Sequence, residues 1–352
     1  MKLILFIFKK LFNNRIRISH IQALIKYSTI VKILNLINCE YERSIKRIVI
    51  KSRPYIINLE LTNSCNYNCP FCPTGKRYER KKGQCEINTL EKTFSELGKY
   101  AYIVTLHGWG EPLLSKNLKH AIKLAHANKI MTIISTNVSL LNEKNSKILL
   151  ESGLDFLILA IDGISETTYN QYRLGGDYLK IIENVKSFMA LKKQGGYKKP
   201  FIEWQFVVFK HNEHEIEDAK KLAKSIGVDN LVFIPAYTED DNNHQDDNTK
   251  YKSRKSPLLN RKDCKDLWTT STILWDGSIA ACCSDYYGDS GFGNINEKSF
   301  INIWNNIKFQ ESRNVIKLGI EQIKTNTICY LCVENINQKT PSIAEHDNLK
   351  QN

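Results

Sequence analysis

No acidic residue precedes Glu40, and no apolar run is long enough to cross a bilayer, which takes about 20 residues. The opening run "LILFIF" stops after six residues at Lys9 and Lys10. A secretory signal needs an apolar stretch of about 7–15 residues and a small-residue cleavage site, and neither is present. Internal repeats and low-complexity tracts are also missing, which leaves an ordinary globular chain. Its 42% apolar and 25% charged residues agree with that, and 352 residues suffice for one large α/β domain and a smaller one.

The missing acid has a counterpart in base. Up to Glu60 there are twelve Lys or Arg against three Glu, so most of the formal charge of +13 lies in the first sixth of the chain. Residues 1–51 read as a basic, helical N-terminal extension. It either packs on the main domain or rests as a basic amphipathic helix on an anionic membrane surface. Nucleic acid is not the expected partner, because basic charge comes here without aromatic stacking motifs. The expected location is cytoplasmic, with at most a peripheral contact at the inner face of the membrane.

Ten cysteines without an export signal point to metal rather than disulfides, because the cytosol keeps thiols reduced. Between residues 52 and 236, predicted strands at 55–61, 102–108, 131–137, 156–162, 201–209 and 230–235 alternate with helical periodicity, as in 115–129, 142–153 and 212–227. Such alternation implies parallel strands joined by right-handed crossovers. Six units fall short of a closed eight-unit barrel. The expected fold class is therefore α/β, a partial (β/α)6 TIM-like barrel, with ligand sites at the C-terminal ends of its strands.

Residues 237–262 are polar, acid-rich and then basic, and read as a linker. In 263–340 two apolar runs flank Asp276-Gly277, a hairpin signal, and 298–319 looks helical; 341–352 is a tail.

The loop after the first strand reads "CNYNCPFC", with Cys65, Cys69 and Cys72 in eight positions. Thiolates this close bind a soft metal or a cluster. A structural zinc site wants four ligands, and the next cysteine, Cys85, lies thirteen residues on. Three thiolates suit a four-iron cluster with one iron open to an outside ligand.

This CxxxCxxC pattern, with Phe71 before its last cysteine, resembles the signature of the radical S-adenosylmethionine (SAM) enzymes, and the resemblance runs over roughly residues 52 to 340. It implies a 4Fe-4S cluster whose open iron is chelated by SAM, reductive SAM cleavage, and a 5′-deoxyadenosyl radical that abstracts a substrate hydrogen. "GWGEP" (108–112) resembles the family's GGEP motif, which makes Gly110 and Glu111 candidate holders of the SAM amino group; Trp109 departs from it. "STN" (135–137) resembles the ribose-contacting position, through Ser135 and Asn137. "AIDG" (160–163) resembles a common SIDG motif, with Ala160 in place of Ser. "YNQYR" (169–173) supplies Arg173, which by resemblance would pair with the SAM carboxylate.

Cys264, Cys282, Cys329 and Cys332 resemble the SPASM or twitch domain of the same enzymes and imply one auxiliary 4Fe-4S cluster, with Cys283 an alternative ligand and Cys39 and Cys85 free thiols. Four protein ligands leave that cluster no open iron, which favours electron transfer. The expected function is a net oxidation or modification of a sugar, alcohol or peptide substrate, supplied by an external low-potential donor of flavodoxin or ferredoxin type. RNA modification and a non-catalytic zinc module are the alternatives. No general base can be chosen: His107, Glu60, Glu203 and Tyr172 lie near strand ends, where such residues are more often structural.

Overall fold

The computed structural model describes residues 18–75, 80–236, 264–285, 291–322 and 325–334. The start of the basic extension, the linker 237–262 and the tail 341–352 lie outside the described residues. Two helices, α1 (Ile18–Tyr27) and α2 (Ile30–Ser44), lead to β1 (Ile56–Leu59). The alternation follows: α3 (Ile87–Leu97), β2 (Ile103–Thr105), α4 (Leu118–Ala127), β3 (Met131–Thr136), α5 (Glu143–Glu151), β4 (Phe156–Ala160), α6 (Glu166–Tyr172), α7 (Tyr178–Gln194), β5 (Phe201–Val208), α8 (Ile216–Ile226) and β6 (Asn230–Pro235).

These six strands pair in parallel in sequence order. Every residue of β4 is buried, as a parallel strand covered on both faces requires. Local chemistry sets the helix ends. Asn142 and Asp177 accept from the N–H of Asn145 and Lys180 at the starts of α5 and α7. Gly227, at φ +83°, supplies the left-handed stop of α8.

Beyond the barrel, α9 (Asp266–Thr269) enters β7 (Thr270–Ile273), and β8 (Ile279–Ala280) returns antiparallel to it. The turn between them carries Gly277 at φ +86°. β7 also pairs in parallel with β1, from Ile56↔Thr270 to Leu59↔Ile273, so the hairpin continues the barrel sheet to eight strands. The single helix expected over 298–319 is two, α10 (Phe300–Trp304) and α11 (Ile307–Leu318); α12 (Ile328–Glu334) closes the described chain. The break has a cause: Asn306 accepts from Phe309 N–H at the start of α11, and the Asn305 side chain pairs with both backbone groups of Ile50.

The described part of the N-terminal extension is packed. Ala23, Tyr27, Leu36 and Cys39 share a buried cluster with Tyr55, Tyr102, Met131 and Phe156, at or beside the N-terminal ends of β1 to β4. At its centre the Asp155 carboxylate accepts from Tyr27 Oη at 2.6 Å, Lys26 Nζ at 3.1 Å, His126 Nε2 at 2.9 Å and Lys199 Nζ. Burial pushes this carboxyl up, but those donors and Thr132 N–H outweigh it and hold it well below the usual carboxylate range. Among the described residues no helix is long and apolar enough to cross a membrane.

A carboxyl held low in the folded state stabilises the fold above its unfolded pKa of about 4, and loses that contribution as pH falls through the folded value. Asp155→Asn should therefore cost about 2–4 kcal/mol at neutral pH, read from urea midpoints, because it strips the partner from buried donors. The deficit should shrink in acid, below pH of about 4. Equal midpoints at pH 7 would show that the cluster does not anchor the extension.

Candidate functional site

The cysteine loop leaves β1 at the C-terminal end of the sheet. Cys72 N–H donates to Cys69 C=O at 3.1 Å and Gly75 N–H to Cys72 C=O at 3.0 Å, so the loop winds in successive turns. Cys69 is buried while Cys65 and Cys72 are half-buried. Burial pushes the Cys69 thiol up to about 11, against the pull of the Arg173 cation. Three thiols on one turning loop are a donor set that could hold a four-iron cluster open at one iron.

The motif loops after β2, β3 and β4 surround those thiols. A Cβ on Gly110 would stand 2.2 Å from Thr62 C=O and 2.7 Å from Ser64 C=O, so only glycine lets the 108–112 loop lie against the cysteine loop. Glu111 N–H donates to Ser64 C=O at 2.8 Å. Its carboxylate, 2% exposed, accepts from Thr136 Oγ1, Asn137 N–H and Leu113 N–H at 2.8–3.1 Å. Its side chain thus ties the β2 loop to the β3 loop, while its backbone N–H ties the β2 loop to Ser64, the residue before Cys65.

Asn137 Nδ2 reaches Cys65 Sγ at 3.8 Å and Asn66 Oδ1 at 3.1 Å, and Ser135 N–H donates to His107 Nδ1 at 3.2 Å. Arg173 Nε and Nη2 meet Asp162 Oδ2 at 2.6 and 2.5 Å, which leaves its Nη1 edge turned to Cys69 Sγ at 4.0 Å. Burial disfavours the Arg173 cation, but the Asp162 carboxylate prevails and raises its pKa further.

A cavity of about 540 Å3 opens beside Cys72 at the C-terminal strand ends. Asn58, Thr105, Val207, Pro235 and Thr272 line it from β1, β2, β5, β6 and β7. Phe71, Tyr172 and Phe209 form an aromatic wall, with centroids 4.5–6.0 Å apart. Cys283, Ser284 and Asp285, from the segment after β8, also line the cavity. Cys264, Cys282, Cys283, Cys329 and Cys332 line a second, smaller cavity, which shares Cys283 and Ser284 with the first. Among the described residues no three such donors close on one point as a single ion demands; a cubane instead takes its thiolates on separate irons.

Residues 59–246 match the radical SAM superfamily, and residues 264–333 match SPASM, an iron–sulfur cluster-binding domain. The chain belongs to the radical SAM superfamily. Its cofactors are SAM, a 4Fe-4S cluster and auxiliary iron–sulfur chemistry in the SPASM region. The tungsten-containing aldehyde ferredoxin oxidoreductase cofactor-modifying protein of Pyrococcus furiosus is 23% identical, over 74% of this chain and 83% of its own length. The SAM-dependent 2-deoxy-scyllo-inosamine dehydrogenase of Niallia circulans is 24% identical over 75% and 87%. SuiB of Streptococcus suis, bound to its precursor peptide SuiA, shares the fold with a TM-score of 0.59 at 15% identity, covering 95% of this chain and 87% of that one.

Of the remaining sequence candidates, His107, Glu60 and Tyr172 line the large cavity, whereas Glu203 accepts from Asn230 Nδ2 within the β5–β6 pair. Glu60 is engaged by Arg80 and by the N–H groups of Trp109 and Trp275. Cys39 and Cys85 are buried, each pushed up to about 12 by desolvation, which suits inert core thiols. Sequence reasoning missed Asn58, Thr105, Thr272 and Asp162. "AIDG" held a signal for Asp162, but nothing local marks polar residues inside β-branched strands as cavity lining.

Gly110→Ala should weaken SAM binding at least tenfold while leaving the fold's thermal midpoint within a few degrees, since the clash separates two loops at the strand ends rather than opening the core. Equilibrium binding on the reconstituted protein checks this, and unchanged affinity would mean that the loop contact has no part in the site.

Proposed function

We propose that the chain carries out a net oxidation of a small alcohol- or sugar-type substrate in the 540 Å3 cavity. In this reading Cys65, Cys69 and Cys72 hold the SAM-binding cluster, and Cys264, Cys282, Cys329 and Cys332 hold the auxiliary one. The observation that carries it is the shared cavity, which both Cys72 and the Cys283–Asp285 segment line. When bound, the first cluster with SAM supplies a hydrogen-abstracting radical, and the auxiliary cluster supplies a place for an electron.

At an alcohol carbon the net change is loss of a hydrogen atom from carbon, a proton from oxygen and one electron, which leaves a carbonyl. The chain's own groups suit such a substrate. Asn58 binds Thr105 Oγ1 at 2.9 Å and Thr272 Oγ1 at 3.3 Å, a neutral network of donors and acceptors able to orient hydroxyls. His107 Nδ1 accepts from the Ser135 N–H, so a neutral ring carries its proton on Nε2. The aromatic wall keeps water from the Cys72 side.

The cavity volume lies in the range of small-ligand sites, and the Niallia circulans relative is named for dehydrogenation of an inosamine. Gly110, Glu111, Ser135, Asn137 and Arg173 are proposed to hold SAM: Gly110 and Glu111 through the backbone, and Arg173 through the edge that Asp162 leaves open. An external low-potential donor supplies the electron for SAM cleavage.

Two measurements test this. With a carbon-deuterated cyclitol or sugar alcohol, the label should appear in 5′-deoxyadenosine in proportion to ketone formed. Label arriving only from a peptide would overturn the substrate class. Replacing Cys329 and Cys332 with Ala should leave uncoupled SAM cleavage largely intact and abolish oxidised product. Circular dichroism and iron content on the same sample would separate this from unfolding. Normal product formation by the folded variant would make the auxiliary site structural.

A further inference from the structure

The helix α2 is amphipathic the wrong way round for an ordinary surface helix. Its buried face carries Lys32, Asn35, Glu40 and Glu42 beside Leu36 and Cys39. Its outer face carries Ile30, Leu34, Ile37, Tyr41 and, at its end, Ile45, all 47–78% exposed, spaced four, three, four and four residues apart. Of the fourteen large apolar side chains exposed among the described residues, eight lie between Ile25 and Val49. An apolar stripe this continuous marks an interaction surface rather than scattered exposure.

The charges beside it have one sign. Glu40 and Glu42, the acids of this helix, turn inward: Glu40 accepts from Tyr55 Oη at 2.7 Å, and Glu42 from Ser52 Oγ at 2.6 Å and the N–H groups of Lys51 and Ser52. Lys51 is exposed, and so are Lys26 and Arg47, whose charged ends lie 3.1 and 3.8 Å from the inward-turned carboxylates of Asp155 and Glu42. The seventeen residues before α1 add five Lys or Arg and no acid. A second copy of the chain would bring these cations against themselves, and the preceding segment brings more of the same sign. A surface that is both apolar within and negative outside complements the stripe.

We propose that the outer face of α2 docks on an anionic lipid bilayer. The helix packs at the N-terminal ends of the strands, so the contact leaves the cavity, at the C-terminal ends, open to the aqueous side. This places the membrane contact on named side chains of a packed helix, independently of the reaction proposed above.

The test uses the full-length reconstituted protein and co-sedimentation with phosphatidylglycerol-containing or pure phosphatidylcholine vesicles. Binding is expected on the anionic vesicles alone and should weaken with salt. Leu34→Glu with Ile37→Glu should lower the bound-to-free ratio at least about tenfold, since two apolar side chains of the stripe no longer leave water on binding. Both side chains already face solvent, so circular dichroism and iron content should match the parent. Undiminished binding of the double variant overturns the proposal, as does failure of the parent to bind or equal binding to phosphatidylcholine. A parent dimer that the double variant dissolves, seen by light scattering, would assign the stripe to a second copy instead.

Discussion

Pairing of β7 with β1 is the constraint on which the rest of the molecule depends. β1 runs straight into the loop of Cys65, Cys69 and Cys72, and the β7–β8 hairpin runs into Cys282 and Cys283. Their register, Leu59 opposite Ile273, with β8 running back antiparallel beside β7, fixes the hairpin and the Cys282–Cys283 segment that follows it against the strand that carries the first cysteine loop. The next residue extends the ladder: Glu60 N–H donates to Ile273 C=O at 2.9 Å, and its carboxylate accepts from Trp275 N–H. Hydrogen-bonded strands lie about 4.8 Å apart, so a sheet is a stiff ruler between the two sites. A hairpin tethered only by a linker could hold no such spacing.

The same end of the barrel is organised by buried charge rather than by apolar packing. Glu111 takes three donors from the β2 and β3 loops, and Asp162 holds Arg173 while accepting from Val207 N–H at 2.7 Å. Burial alone would push both carboxyls up, and it does raise them, but each is surrounded by groups that favour the ion. Such networks are costly to leave half-made. That cost makes the loop positions discrete, which is what a site with several converging loops needs. Arg173 gains by it: with Nε and Nη2 fixed on Asp162, its remaining edge has one direction to point.

Legibility from sequence followed the range of the interaction. The six barrel strands were readable because runs such as "FLILA" over β4 are apolar throughout, and the cysteine loop because its spacing is complete within eight residues. The pairing of β7 with β1 was not, since nothing in "TSTI" says which strand it will join across more than two hundred residues. The break at Asn305-Asn306 was equally hidden within a stretch that looks helical throughout, since only Ile50, far along the chain, makes Asn305 a clamp. For α2 the sense of the amphipathic pattern is set by contacts that no periodicity encodes.

Inversion of α2 is possible because each buried polar group finds backbone to satisfy. Lys32 Nζ donates to Asn128 and Lys129 C=O, at the C-terminal end of α4 where carbonyls lack helical partners. Asn35 Oδ1 accepts from Arg53 N–H while its Nδ2 donates to Arg53 C=O, an amide-to-amide pair of the kind a neighbouring strand would make. Desolvation lowers the Lys32 pKa to about 7, so the ammonium there is marginal, yet even a neutral amine keeps two N–H donors for two carbonyls. The N-terminal end of a parallel sheet exposes backbone that loops usually cover, and here a helix covers it with polar side chains. Apolar residues that would ordinarily face the core are displaced to the outside by that requirement. The closed end of the barrel and the exposed apolar stripe are therefore two consequences of one packing choice.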